Sequence, residues 1–152
     1  METGSKPQTS PGIGDTLAQD HRRCDELFAS AEKHASNGEW PQAQQEVSAF
    51  VEAMTRHIGF EEQTLFPALE QVIGAGGPTQ VMRMEHEQMR TLFRDMQQAA
   101  QAQDAPRLLG ATETLLILMQ QHNMKEENIL YRLADQMLGA QGPALAGQFA
   151  QS

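Results

Sequence analysis

His21 and His86 stand 65 residues apart, and so do His57 and His122, and Glu61 and Glu126. Residues of metal-ligand type therefore recur in one order: a His, then 36 positions later a His-x-x-x-Glu. A hydrophobic core by itself has no use for such a recurrence, whereas two copies of one structural unit do. The same offset carries Leu27-Phe28 onto Leu92-Phe93, Pro41 onto Pro106, Met54 onto Met119, Glu62 onto Glu127, Leu65 onto Leu130 and Gln71 onto Gln136. It also carries the loop Gly74-Ala75-Gly76-Gly77-Pro78 onto Gly139-Ala140-Gln141-Gly142-Pro143, and no gap is needed between 20–78 and 85–143. Each unit is too short to bury a core alone, so the two are expected to pack into one domain.

Apolar residues follow a helical period throughout. Residues 1–12, rich in Gly, Ser, Thr and Pro, form an expected disordered tail. A first helix is expected from about Ile13–Asp15 on the stripe Ile13, Leu17, His21, Cys24, Phe28 and Ala31, ending at Asn37-Gly38. Pro41 opens a second helix with the stripe Ala43, Val47, Phe50, Met54, His57, Glu61 and Leu65, in which Pro67 is expected to kink or loosen the last turns. The third helix carries Met82, His86, Met89, Phe93 and Met96, and the fourth carries Leu108, Leu115, Met119, His122, Glu126 and Leu130. A short tail or helix is expected over 144–152. No period-two segment competes, so the expected class is all-α: an up-down-up-down four-helix bundle over 13–143 made of two helical hairpins related by a pseudo-twofold.

Depth along the helices tests whether the six residues can meet. His21 lies 16 residues before the first turn and His57 lies 16 after Pro41, which puts both roughly 24 Å from that turn at ~1.5 Å per residue. His86 and His122 stand comparably to the turn at 101–105. Glu61 and Glu126, four residues beyond their histidines, share the same helix faces. One such His is ordinarily a core residue, but four imidazoles and two carboxylates turned into one core are costly without a ligand. His plus carboxylate suits iron, manganese or zinc. Two carboxylates about a pseudo-twofold suit bridging a pair of ions roughly 3.5–4 Å apart. The expected cofactor is two iron ions, oxo- or hydroxo-bridged, held by His21, His57, Glu61, His86, His122 and Glu126.

The segments Asp20-His21-Arg22-Arg23, His57-Ile58-Gly59-Phe60-Glu61-Glu62, Glu85-His86-Glu87-Gln88 and His122-Asn123-Met124-Lys125-Glu126-Glu127 resemble the hemerythrin-like, or HHE cation-binding, domain proteins over roughly residues 13–138. The resemblance implies a four-helix bundle with a non-haem di-iron centre on the same six residues. The chain departs from the oxygen-carrying hemerythrins, which have five ligand histidines. Here Met82 and Arg90 stand four residues either side of His86, and the spare His34 lies 13 residues from His21, about 20 Å along the helix. Glu127 holds the place of the hemerythrin Asp and is a possible ligand, although the repeat favours Glu126. Glu85 before His86 is similar to the di-iron proteins that repair iron–sulfur clusters, but the N-terminal cysteine-bearing region of those proteins has no counterpart here.

Other residues are expected to play plainer parts. Asp20 and Glu85 could tune the metal from behind the ligands or line an entry path, and Glu62 and Glu127 could add a metal contact, but all four are taken chiefly as solvated charges, and Cys24 as a small core hydrophobe. A net charge of −9 argues against a nucleic-acid partner. The absence of a long apolar run argues against a membrane span. A lone cysteine and no signal-type segment suit the cytoplasm. The expected partner is a small diatomic or peroxide, and the expected function is binding or sensing O2 or NO at the di-iron centre. The alternatives are a di-iron enzyme reducing peroxide or NO, or an iron storage or donation protein. The sequence leaves open whether the protein is an enzyme.

Overall fold

The computed structural model describes residues 12–152, so most of the 1–12 tail lies outside the described residues. The helices are α1 (Ile13–Ser36), α2 (Trp40–Phe60), α3 (Phe66–Ile73), α4 (Pro78–Gln101), α5 (Ala105–Lys125), α6 (Tyr131–Leu138) and α7 (Gln141–Gln151). One π turn, Glu61–Leu65, joins α2 to α3 without a break, and another, Glu126–Leu130, joins α5 to α6. No strand occurs among the described residues.

The 65-residue offset reappears in the boundaries. Helices α1 and α4 are each 24 residues long, α2 and α5 each 21, both π turns 5, and α3 and α6 each 8. Even the turns correspond: Gly38 has φ 71° and Gln103, 65 residues on, has φ 54°. Gly38 adopts that left-handed conformation without a Cβ clash. Gln103 is the one non-glycine residue with positive φ among those described. It is held there because the amide of Asp104 must still reach the carbonyl of Ala99 at 2.9 Å.

Helix α1 packs on α2 and α4 on α5, while α2 meets α4 and α1 meets α5. Apolar stripes therefore converge along the whole length. Nearest the 37–39 and 101–104 turns lies one apolar cluster, with Phe28, Phe50 and Phe93 in edge-to-face contact. Toward the opposite end lies a second cluster of Ile13, Leu17, Leu65, Phe66, Leu69, Leu130, Tyr131 and Phe149. Between them sits a buried polar layer of Asp20, His21, His57, Glu61, His86, His122 and Glu126.

The expected disturbance at Pro67 takes a different form and has a different cause. The π turn ends before it, with Pro67 second in α3; the Glu62 carbonyl, five residues back, which a proline without an N–H cannot serve, accepts from Arg83 Nη1 at 3.3 Å. The same π turn recurs at 126–130, where the counterpart of Pro67 is Arg132. Proline therefore cannot be what makes it. Both π turns begin at the repeated glutamates, and the amides of Phe66 and Tyr131 bond the carbonyls of Glu61 and Glu126, five residues back.

Past Gly139, the tail is a three-turn helix, α7, which lies on α1 and α6. Phe149 packs edge-on to Phe60 and to His57, with centroids 5.1 and 5.9 Å away, and the Arg56 guanidinium sits 4.2 Å over its ring. Helix α7 thus walls off one side of the polar layer.

Candidate metal centre

All six expected residues meet. His21, His57, Glu61 and Glu126 offer ligand atoms within 4.8 Å of one another, and so do Glu61, His86, His122 and Glu126. The two carboxylates belong to both groups. Each residue is at most 2 % exposed. Glu61 turns Oε2 toward His57 Nε2 (3.3 Å) and Oε1 toward His86 Nε2 (3.2 Å). Glu126 turns Oε1 toward His21 Nε2 (3.1 Å) and Oε2 toward His122 Nε2 (3.2 Å). Each carboxylate therefore spans from one half-site to the other, as a bridge between two ions requires.

The four Nδ1 atoms face outward, and each meets a carboxylate. His57 is held by Asp20 at 2.8 Å, His122 by Glu85 at 2.8 Å, His86 by Glu62 at 2.8 Å and His21 by Glu127 at 2.7 Å. These four were expected to be mainly surface charges; they are partners of the imidazoles. Glu127 accordingly lies behind His21, and Glu126 is the residue turned into the cluster. An Nδ1–H donated to a carboxylate fixes the tautomer that presents Nε2 as the donor and makes it more basic. Cations brace the outer ring: Arg23 on Asp20, Arg90 on Glu62 and Lys125 on Glu85.

The protonation balance follows from this packing. Burial alone would lower the His57 pKa, but the Glu61 carboxylate and the Asp20 hydrogen bond outweigh it and raise the value to about 10. Burial is likewise outweighed at His86, where Glu126, Glu61 and Glu62 raise it to about 11. At His122, too, the nearby Glu126 charge overcomes burial and raises the pKa. Glu126 is held far below the carboxylate range against burial by His122, His21 and His86. Without a cation, then, protons on His57, His86 and His122 offset the buried carboxylate charge. A metal would take over that task.

The residues present fit a metal pair. Glu61 Oε1, His86 Nε2 and Glu126 Oε2 are buried without any hydrogen-bond partner, although they crowd one another. Buried polar atoms seldom go unpaired unless a further group serves them. Imidazole nitrogens and carboxylate oxygens, with no thiolate among them, suit a first-row divalent or trivalent ion such as iron.

Tyr131 is the residue that sequence reasoning missed. Its hydroxyl donates to Glu61 Oε2 at 2.6 Å and stands 3.0 Å from Glu126 Oε1 and 3.2 Å from Nε2 of both His21 and His57. Burial and the two carboxylates keep the phenol protonated in the cation-free site. In an α-helix the residue five beyond Glu126 would point roughly 140° away around the axis. The π turn, closed by an i→i+5 bond, brings it back over the glutamate. The signal available was the offset itself, which pairs Tyr131 with Phe66. Phe66 stacks on His86 at 5.7 Å much as Tyr131 stacks on His21 at 5.6 Å.

Two other expectations are met by the packing. Cys24 is buried beside Asp20, and burial together with that carboxylate pushes its thiol up to about 12. His34 pairs with Glu46, far from the cluster. No helix among the described residues is long and apolar enough to cross a membrane.

No curated protein and no solved structure matches this chain. The family profile described as hemerythrin HHE cation binding domain matches residues 13–134, from the start of α1 into α6 and across every residue of the polar layer. The chain belongs to the hemerythrin HHE cation-binding domain family.

Proposed function

We propose that this protein is a four-helix bundle of two pseudo-twofold-related hairpins holding a carboxylate-bridged non-haem di-iron centre, at which it binds or senses O2 or NO. The observation that carries the reading is the sharing of Glu61 and Glu126 between two His pairs, His21 with His57 and His86 with His122. One iron would sit on each pair, with the glutamates spanning both. Bound iron supplies an electron-rich centre able to take up a small diatomic molecule reversibly. The chain supplies the enclosure. His57 lies against Phe149 of α7 and His86 against Phe66, so an apolar ring covers a histidine of each half-site. The outer carboxylates fix each imidazole tautomer. A lone, buried cysteine is suited to a cytoplasmic setting.

Metal analysis of protein purified without added metal, followed by anaerobic titration with NO, tests the reading. Two irons per chain and a stable, stoichiometric absorbance change are expected. One zinc per chain, or no metal, overturns it. Sustained consumption of peroxide or NO with a reductant would favour a di-iron enzyme. Ready transfer of iron to an apo-acceptor would favour iron storage or donation.

A further inference from the structure

The two half-sites share their imidazoles, carboxylates and stacked rings, and differ in one polar atom that faces the cluster. Where the His86/His122 half has the phenyl ring of Phe66, the His21/His57 half has the Tyr131 hydroxyl. That oxygen has four close neighbours, at 2.6, 3.0, 3.2 and 3.2 Å. A hydroxyl supports one donated and two accepted hydrogen bonds, so four neighbours exceed what it can satisfy as a donor and acceptor. The same distances are those of a coordination shell. Donors about 2.1 Å from one ion stand about 3 Å apart along the edges of an octahedron, and each vertex of an octahedron has four neighbours. The ring around Tyr131 Oη fits that figure: His21 Nε2 lies 3.1 Å from Glu126 Oε1, and His57 Nε2 lies 3.3 Å from Glu61 Oε2.

The geometry points to Tyr131 as a fifth protein ligand to the ion held by His21 and His57, with no equivalent at the ion held by His86 and His122. This rests on the di-iron reading above. On metal binding the phenolic O–H bond breaks, the oxygen bonds the metal, and the proton leaves to solvent. The two ions are then chemically distinct, one with five protein donors and one with four. Two further features separate the same halves. Within the centre, the buried atoms without hydrogen-bond partners, Glu61 Oε1, His86 Nε2 and Glu126 Oε2, all belong to the four-donor half. Beside that half, an apolar recess of about 200 Å³ is lined by Pro78, Val81, Met82, Lys125, Ile129 and Leu130. By the 65-residue offset its floor corresponds to Ile13, Leu17, Phe60 and Leu65, the cluster into which Phe149 of α7 packs on the other half.

Full-length protein loaded with ferrous ion and oxidised in air provides the test. Wild type, with two irons per chain by metal analysis, is expected to show a visible phenolate-to-iron(III) charge-transfer band and tyrosinate ring modes in resonance Raman spectra. Tyr131→Phe is expected to lose both while retaining two irons. Azide added to the wild type is expected to give its own charge-transfer band and leave the tyrosinate modes in place. Two irons in the wild type without tyrosinate modes overturns the assignment and leaves the di-iron reading standing. Azide that abolishes those modes also overturns it, because the phenolate would then be displaced rather than held. Failure of the wild type to hold two irons overturns both. The wild-type spectra decide the matter even if Tyr131→Phe folds poorly.

Discussion

Replacing the carboxylates behind the histidines should weaken metal binding in the order of their burial. The four side chains make bonds of nearly equal length, 2.7–2.8 Å, to imidazole Nδ1. Their exposure differs: Asp20 6 %, Glu85 16 %, Glu62 19 % and Glu127 35 %. Losing such a partner typically lowers metal affinity 10–100-fold. Asp20, nearly enclosed, belongs at the top of that range, and Asp20→Ala should cost about 2–2.7 kcal/mol, roughly 30–100-fold in Kd. Solvent screens Glu127, so Glu127→Ala should cost about 1 kcal/mol, roughly fivefold. Competition with a chromophoric chelator under anaerobic conditions reads both, and thermal melting of the metal-free variants separates loss of fold from loss of affinity. The reasoning fails if Asp20→Ala binds within twofold of wild type, or if Glu127→Ala is the more damaging change.

Metal-free protein should lose stability on both sides of neutrality. His57 and His86, raised to about 10 and about 11, contribute fully below the unfolded value of roughly 6.5 and lose that contribution as pH rises through 10–11. On the acid side Glu62 is held down at about 2 against burial by His86 and Arg90, so its contribution is present above roughly 4.5 and lost toward pH 2. Urea midpoints measured across pH would expose either slope, and a flat profile would contradict the pairing. Gly14→Ala should destabilise by about 1–3 kcal/mol, because the new Cβ would meet Asp135 Oδ2 at 2.6 Å and Tyr131 Cβ at 3.1 Å; an unchanged melting curve would argue against that close approach. Cys24, with its thiol near 12 and its side chain buried, should resist thiol reagents at pH 8 until urea unfolds the chain; rapid labelling of the native protein would contradict its burial.

The offset between the two His and His-x-x-x-Glu sets was enough to foresee the helices, their turns and the six residues that meet, because α-helical spacing translates directly into shared faces and depths. What escaped was anything that depends on crossing between helices or on departing from the α period. Asp20 and Glu85 look like outward charges on their own helices, and only the approach of α2 and α5 turns them into partners of His57 and His122. Glu62 and Glu127 lie one residue beyond the inward glutamates, and the packing of α4 and α1 decides that they face His86 and His21. Tyr131 falls on the wrong face of an ideal α-helix and reaches the cluster only through the π turn. Pro67 looked like the disturbance in its helix, yet the same π turn forms where Arg132 replaces it.

A π turn is an α-helix that carries one residue more than that turn needs. Removing a single residue from 127–130 would let the backbone between Glu126 and Tyr131 relax to ordinary α bonding. Tyr131 would then stand four residues beyond Glu126, about 40° around the axis and still on the same face, and everything from Tyr131 to Leu138 would keep its register. Keeping every residue but tightening the turn to α bonding would instead swing that segment by roughly 100° about the axis. The ring now over the carboxylates would leave, and the packing of α6 on α1 would have to be rebuilt. The side chain over each glutamate is thus set by the bonding of one turn as much as by residue type. The extra residue is absorbed where it stands, between glutamate and ring, without moving the helix behind it.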